Sequence, residues 1–298
     1  MNTRAIVFPL VVVMAAALAC TLPGAAPPTP FAFPTPNQTL TAIFAPTAGA
    51  TVAAPTAAAT STIAVTAIVT SASLPTSTSG ALSSRPNGSP VAAAHLSTPP
   101  TIDGDLADWA TATYSVSQVT YGAARWSGLN DASGVFYIGW DSSALYIAAR
   151  VTDDQYVQIS SGHDMYLGDS LEIQLDANLA SDFYTVSLSS DDYQIGLSAG
   201  NFGSISPQAY RWYPSDKAGV PSGVTVGGKS TTSGYTLEAK IPWTVFGVTP
   251  AEGSRYGFTL SVSDNDSAGA AAQQSMVSSV STRELFDPTS WGTLVLGE

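Results

Sequence analysis

From about residue 130 onward the chain is written in short segments whose apolar and polar positions alternate, the period of a strand with one buried face. Val135–Asp141 and Leu145–Val151, separated by Ser142-Ser143-Ala144, predict two strands in succession. In Leu171-Glu172-Ile173-Gln174-Leu175-Asp176 the three aliphatics face one way and the three polar residues the other. Phe183–Ser189 and Tyr193–Ser198 predict two more strands around an Asp191-Asp192 turn. Tyr235–Ile241 alternates again and stops at Pro242. Phe258, Leu260 and Val262 mark a strand ended by Asp264-Asn265-Asp266, and Thr293–Leu296 is the last. Only Trp243–Gly247 suggests a helical turn. No stretch carries a 3.6-residue period long enough for a βαβ unit, so a parallel α/β fold is excluded. The expected fold is all-β: an antiparallel β-sandwich of jelly-roll or immunoglobulin-like type.

The first third of the chain has no such pattern. An apolar run from Ala5 to Ala19 follows Arg4 and ends at Cys20, so residues 1–20 read as an export signal. The run is too short and too rich in small residues for a good spanning helix. Cys20 is the only cysteine, which rules out an internal disulfide. Its place after Ala-Leu-Ala resembles the lipobox of bacterial lipoproteins. That implies lipidation of Cys20 and a membrane anchor on the outer face of the cell; the alternative is cleavage near Ala19 and release. Residues 21–94 are Thr, Ala, Pro and Ser with almost no charge. They cannot bury enough apolar area to offset their ordering entropy and are expected to form a disordered linker. The short apolar stretch Ile63–Val69 is read as part of it. The folded domain is expected over 95–298, as a monomer.

Charge narrows the partners. All 22 acidic residues lie from Asp103 onward, against ten basic residues in the whole chain. So acidic a surface repels phosphate backbones, which argues against nucleic acid and leaves neutral ligands or divalent cations. There are two histidines, no Gly-x-Ser-x-Gly and no His-Glu-x-x-His, so no enzymatic activity is expected.

A set of landmarks then recurs in order. They are Ile102-Asp103-Gly104-Asp105-Leu106-Ala107-Asp108-Trp109; Gly139-Trp140-Asp141 with Ala144-Leu145-Tyr146-Ile147 and Val151-Thr152-Asp153; and Gly168-Asp169-Ser170-Leu171-Glu172-Ile173. After them come Glu238-Ala239-Lys240-Ile241-Pro242-Trp243, Gly257-Phe258 with Asp264, and Asp287-Pro288 with Trp291-Gly292-Thr293-Leu294. Over about residues 100–298 this order resembles carbohydrate-binding module family 9, the sugar-binding β-sandwich attached to xylanases. The resemblance implies non-catalytic binding of an extracellular polysaccharide, such as xylan or glucan ends.

In that family two facing aromatic rings grip a terminal sugar, whose C–H face stacks on them while polar groups fix the hydroxyls. The resemblance puts the first ring at Tyr166 and the hydroxyl-binding acid at Glu172. A pairing of Glu172 with Lys240 is the structural alternative. The second ring should fall at Met276, which is not aromatic. The family's Arg and Asn, on the next strand, correspond to Thr185 and Ser187. Aromatic-rich segments outside the landmarks, Tyr210–Tyr213 with Trp212 and Tyr121–Trp126, are alternative platforms. Trp109, Trp140, Trp243 and Trp291 are expected in the core. The family often holds structural calcium. Asp153, Asp154, Asp264 and Asp266 supply hard oxygen ligands in turns; the alternative is Asx-turn chemistry. Two other functions fit the sequence: a structural or protein-interaction sandwich that lost its sugar site, and a haem-binding relative using Met165, His163 and Met276, though without Cys-x-x-Cys-His.

Overall fold

In the computed structural model the described residues are 84–298. The signal segment, Cys20, Ile63–Val69 and all of the linker up to residue 83 lie outside them. Thirteen strands and five short 3-10 turns make up the described part, so the protein is all-β. The expected strands form as β4 (Ala132–Trp140), β5 (Ala144–Asp153), β6 (Ser170–Asp176), β7 (Asp192–Ser198), β10 (Gly234–Pro242), β11 (Arg255–Asp264) and β13 (Gly292–Leu296). The sequence pattern missed β1 (Val91–His95), β2 (Thr113–Val116), β3 (Gln118–Tyr121), β8 (Gln208–Tyr213), β9 (Thr225–Thr231) and β12 (Ser275–Ser278).

The strands form two sheets. The first runs β8-β7-β6-β11-β13, with β12 on β11 and β3 on β12. The second runs β4-β5-β10-β9, with β2 on β4. Strand β1 joins them: its first half pairs with β13 and its second half with β4, parallel in both cases. The wholly antiparallel arrangement expected from sequence is therefore broken at one strand, which makes the two sheets hydrogen-bond continuously along one side.

Between the sheets lies the core. Leu171, Ile173 and Leu175 of β6, with Ile195, Leu197, Leu260 and Val262, meet Phe136, Ile138, Ile147, Leu237 and Ile241 of the second sheet. All twelve of these aliphatic and aromatic side chains come from the alternating segments of the sequence, which is why the pattern found them. The outer face of the second sheet is covered by Leu106 and Trp109, which pack on Ala144, Tyr146 and Ala148. Trp109, Trp140, Trp243 and Trp291 are all buried, and each indole N–H has an acceptor: Glu238 Oε1, Gly297 O, Asp141 O and Glu284 O. Burying an indole is favourable when its one donor is satisfied, as here.

Two expectations are corrected here. Residues 84–94, placed in the linker, belong to the folded body: β1 lies inside the sheet, and buried Arg85 pairs with Asp176 at 2.7 Å. Phe183–Ser189 is not a strand but an irregular connection between β6 and β7. Both edges of β6 are already taken, by β7 and β11, so a further strand has no partner there.

Candidate sugar-binding site

The outer face of the first sheet is polar and is covered by loops around one opening. It carries Glu172 and Gln174 of β6, Gln194 and Gly196 of β7, Ser261 and Ser263 of β11, and Met276 of β12. A pocket of about 620 Å³ opens on it. Tyr166, Glu172, Trp212 and Met276, all singled out from sequence, line this pocket together. Thr185 and Ser187 do not: they sit exposed in the irregular connection. The strand that follows Glu172 is β7, and its positions on the same face are Gln194 and Gly196.

The floor is polar and pre-organised. Glu172, 5% exposed, accepts from Arg283 at one oxygen and from Gln194 Nε2 at the other, the latter at 3.0 Å. Arg283 also donates through Nε to Gln174 Oε1 at 2.9 Å. The partner of Glu172 is therefore Arg283, 111 residues away, and not Lys240, whose ammonium lies over the Tyr146 ring. Arg283 has five N–H donors, those two contacts use two of them, and the residue lines the pocket. The floor is electroneutral and offers both donors and acceptors.

The walls are aromatic. Trp212 of β8 lies across Gly196: a Cβ there would come within 2.3 Å of its ring and 2.8 Å of the Met165 sulfur. Glycine is what lets the indole settle on the sheet. A register slip between Gln194 and Ile195 in the β7–β8 pairing accompanies this placement. The indole N–H is fixed on His163 O at 2.8 Å. Tyr166 stands edge-on to Trp212, centroids 6.0 Å apart and planes at 83°. Tyr210 packs against both Trp212 and His163. Met276, 2% exposed, forms part of the apolar lining where no ring is present.

The remaining candidates separate. Trp126 packs on the core with its N–H on Ala132 O, so it is structural. Met165 is fully buried against Gly196, on the same side of the strand as Trp212, and does not line the pocket, whereas His163 and Met276 do, so the trio considered for haem does not surround one cavity. Sequence reasoning missed Arg283 and Gln194. No local signal marks Arg283; only the fold brings its loop to β6.

At one end of the strands lies an acidic nest. Asp153, Asp154 and Asp266 come within ligand distance of one another, as do Asp153, Asp169 and Asp264, and Asp131, Asp264 and Asp266. All four acids expected from sequence are there, joined by Asp131 and Asp169. Buried Oδ2 of Asp153, Oδ1 of Asp264 and Oδ1 of Asp266 have no hydrogen-bond partner. Burial first, then mutual repulsion, pushes Asp153 and Asp266 up to about 6 and Asp264 to about 7.

A profile described as "Carbohydrate family 9 binding domain-like" matches residues 102–298, which is most of the described body. This chain belongs to that family. Family 9 modules are non-catalytic carbohydrate-binding modules, and residues 102–298 are a module of that family. Among curated relatives, this module is 31% identical over 142 residues to endo-1,4-beta-xylanase A of Thermoanaerobacterium saccharolyticum and 29% identical over 170 residues to exoglucanase XynX of Acetivibrio thermocellus. These cover 48% and 57% of the chain but only 11% and 14% of the relatives. The chain thus spans about a tenth of the length of those enzymes. Among solved structures it is similar to a family 9 module from Caldicellulosiruptor kristjanssonii in complex with cellotriose (TM-score 0.54, 23% identity, 70% of this chain and 94% of that one). It is similar also to one from the same organism in complex with glucose (TM-score 0.53, 24% identity, 70% and 97%). Those likenesses establish the shared β-sandwich fold of the family 9 module.

Proposed function

We propose that the pocket on the outer face of the first sheet holds a neutral pyranose of a β-linked polysaccharide, of xylan or glucan type. The sugar's C–H face stacks on Trp212 with Tyr166 against its edge, and its hydroxyls bond to Glu172, Arg283 and Gln194. The observation that carries this reading is the ion-paired floor beneath an indole fixed over Gly196. A carboxylate and a guanidinium side by side accept from and donate to a vicinal diol without leaving a net charge for the ligand to neutralise. Trp212 adds a ring beside Tyr166, on the side of the pocket away from Met276, so the aromatic part of the site is built from different residues. The xylanase and exoglucanase relatives, and the cellotriose and glucose complexes, point to the ligand class. Titration calorimetry with glucose, xylose and xylan tests it. Binding that Trp212→Ala weakens at least tenfold supports the reading; a wild-type protein that binds none of the three refutes it.

The acidic nest fits a calcium ion. Three orphaned buried carboxylate oxygens with no guanidinium or ammonium among their hydrogen-bond partners are costly unless a cation is present. Asp153, Asp264 and Asp266 would hold it, with Asp131, Asp154 and Asp169 around them, and its charge would fasten the ends of β5 and β11 to the turn before β6. The same reading has Cys20 lipidated at the outer face of the membrane, with residues 21–83 as a tether and the module acting as a monomer. Radiolabelled palmitate in the wild type but not in Cys20→Ala checks the anchor, and release of Cys20→Ala to the medium is the accompanying result.

A further inference from the structure

A second pocket, of about 320 Å³, lies at the edge strand β8 and shares no lining residue with the first. Successive residues of a strand face opposite ways, and here Trp212 lines the sugar pocket while Arg211 lines this one. Arg211 is paired with Ile195, and Tyr193 with Leu175, so both belong to the core-side face of the first sheet. Thr244 and Val245, in the turn that follows β10 of the second sheet, join the lining with Ser222.

Charge sets this pocket apart. In a chain with 22 acidic residues against ten basic ones, cations are expected to find carboxylates. Arg85 and Arg283 do, at Asp176 and Glu172, and Lys229 lies between Asp103 and Asp105. Arg211 and Lys217 do not: among the described residues neither has a carboxylate within ion-pair distance. Arg211 donates through Nε to Lys217 O at 2.7 Å and through Nη1 to Val245 O at 3.4 Å, so Nη2 has no partner among the described residues. The Lys217 ammonium has none there either, and it lies 5.9 Å from the centre of the Tyr193 ring.

The arrangement is built in advance of a ligand. Arg211 and Gly219 exchange two backbone hydrogen bonds, at 2.8 and 2.9 Å, and Lys217 N donates to Pro214 O at 3.0 Å, so the segment between them is tied back onto β8. Tyr193 is 4% exposed and stands edge-on to Phe246, centroids 5.3 Å apart. Burial pushes its phenol above the ordinary value, Arg211 pulling the other way and Asp191 and Asp216 adding to the rise, so the hydroxyl stays a neutral donor. Groups already in place lose little conformational freedom when a ligand binds. A guanidinium with an unused nitrogen, in one pocket with an ammonium, suits a single carboxylate. The acidity of the rest of the molecule works against a dianion. The Tyr193 ring and Val245 add an apolar surface, and Ser222 and Thr244 add hydroxyls. The volume stands at the lower end of the roughly 300–1,000 Å³ of ligand pockets, which is room for one ring.

We propose that this pocket is a second binding site whose ligand is a uronic acid, a pyranose with one carboxylate: Arg211 and Lys217 take the carboxylate, the Tyr193 ring lies against the C–H face, and Ser222 and Thr244 meet the hydroxyls. It stands independently of the sugar-binding reading of the first pocket.

The test is titration calorimetry of the full chain at low salt with glucuronic acid, glucose, acetate and inorganic phosphate, on the wild type, Lys217→Met, Arg211→Met and Trp212→Ala, with thermal unfolding as a check on folding. The expected result is glucuronate bound more tightly than acetate or phosphate. Its affinity falls about threefold or more in Lys217→Met and about tenfold or more in Arg211→Met, while both variants keep wild-type affinity for glucose. Trp212→Ala keeps its affinity for glucuronate. Arg211 also ties down the backbone of Lys217, so Lys217→Met, which removes only an exposed ammonium, decides the matter. A xylo-oligosaccharide carrying one glucuronic acid, set against the neutral oligosaccharide of equal length, separates the sources: a Lys217-dependent gain places the acid on a polysaccharide, and no gain assigns the pocket to the free acid. No glucuronate bound by Trp212→Ala, or unchanged affinity in Lys217→Met, overturns the site. Acetate or phosphate bound as tightly as glucuronate overturns the acidic sugar as its ligand. Failure of glucose alone refutes the first pocket and leaves this one standing.

Discussion

Arg283 ties the stability of the fold to the proposed sugar site. Its guanidinium neutralises Glu172, and both side chains are more than nine-tenths buried. Removing one partner of a buried pair strands the other charge, which costs about 3 kcal/mol or more. Arg283→Ala is therefore expected to lower the denaturation midpoint markedly and abolish sugar binding. Combining Arg283→Met with Glu172→Gln removes both charges, so most of the stability should return while binding stays lost; urea titration beside calorimetry separates the two effects. At this scale the sequence was partly legible. Tyr166, Glu172, Met276 and Trp212 were found and do converge. Thr185 and Ser187 were misplaced because a β-forming run was taken for the strand after Glu172. Arg283 and Gln194 were invisible because what defines them is contact across the fold: 111 residues separate Arg283 from Glu172.

Among the elements, strand β7 decides the shape of the site. Gly196 faces Glu172 across the ladder, and the missing side chain is the space that Trp212 fills. Gly196→Leu is expected to push the indole off the sheet. The core beneath comes from the opposite face of β7, so unfolding should remain cooperative with a loss of about 1–3 kcal/mol from overpacking against Met165. Tryptophan fluorescence should report a more exposed indole, and glucose binding should fall with it. An unaltered emission spectrum with wild-type binding would show that Trp212 does not depend on Gly196. The strands that periodicity revealed are those with aliphatics on one face, such as β6 and β10. Those it missed are four to seven residues long, and β1, β9 and β12 among them are so rich in Ala, Gly, Ser or Thr that little apolar contrast remains and only pairing identifies a strand.

For the molecule as a whole, excess negative charge is both a filter and a liability. It disfavours anionic partners on electrostatic grounds, and it gathers acids whose oxygens have no partner. Asp153, Asp266 and Asp264 have folded-state values of about 6, 6 and 7, above the ordinary 3.8. Ionising them opposes folding. The stability they contribute is fully present below about pH 4 and is lost as pH rises through 6 to 7. In chelator, the unfolding temperature is therefore expected to rise as pH falls from 7.5 to 5. Calcium should raise it at pH 7.5 and flatten or reverse that trend, because protons then compete with the ion. An unfolding temperature indifferent to calcium at pH 7.5, measured by scanning calorimetry, would count against the cation. Asp264→Asn should shrink the calcium effect.

The central claim is that this family 9 module keeps its function with a site rebuilt on Trp212 and the Glu172–Arg283 floor. Calorimetric titration of wild type and Trp212→Ala with glucose tests it most directly. The account requires binding in the wild type and at least a tenfold weaker affinity in a Trp212→Ala protein that unfolds at the wild-type temperature. Equal affinity in the two proteins would contradict it.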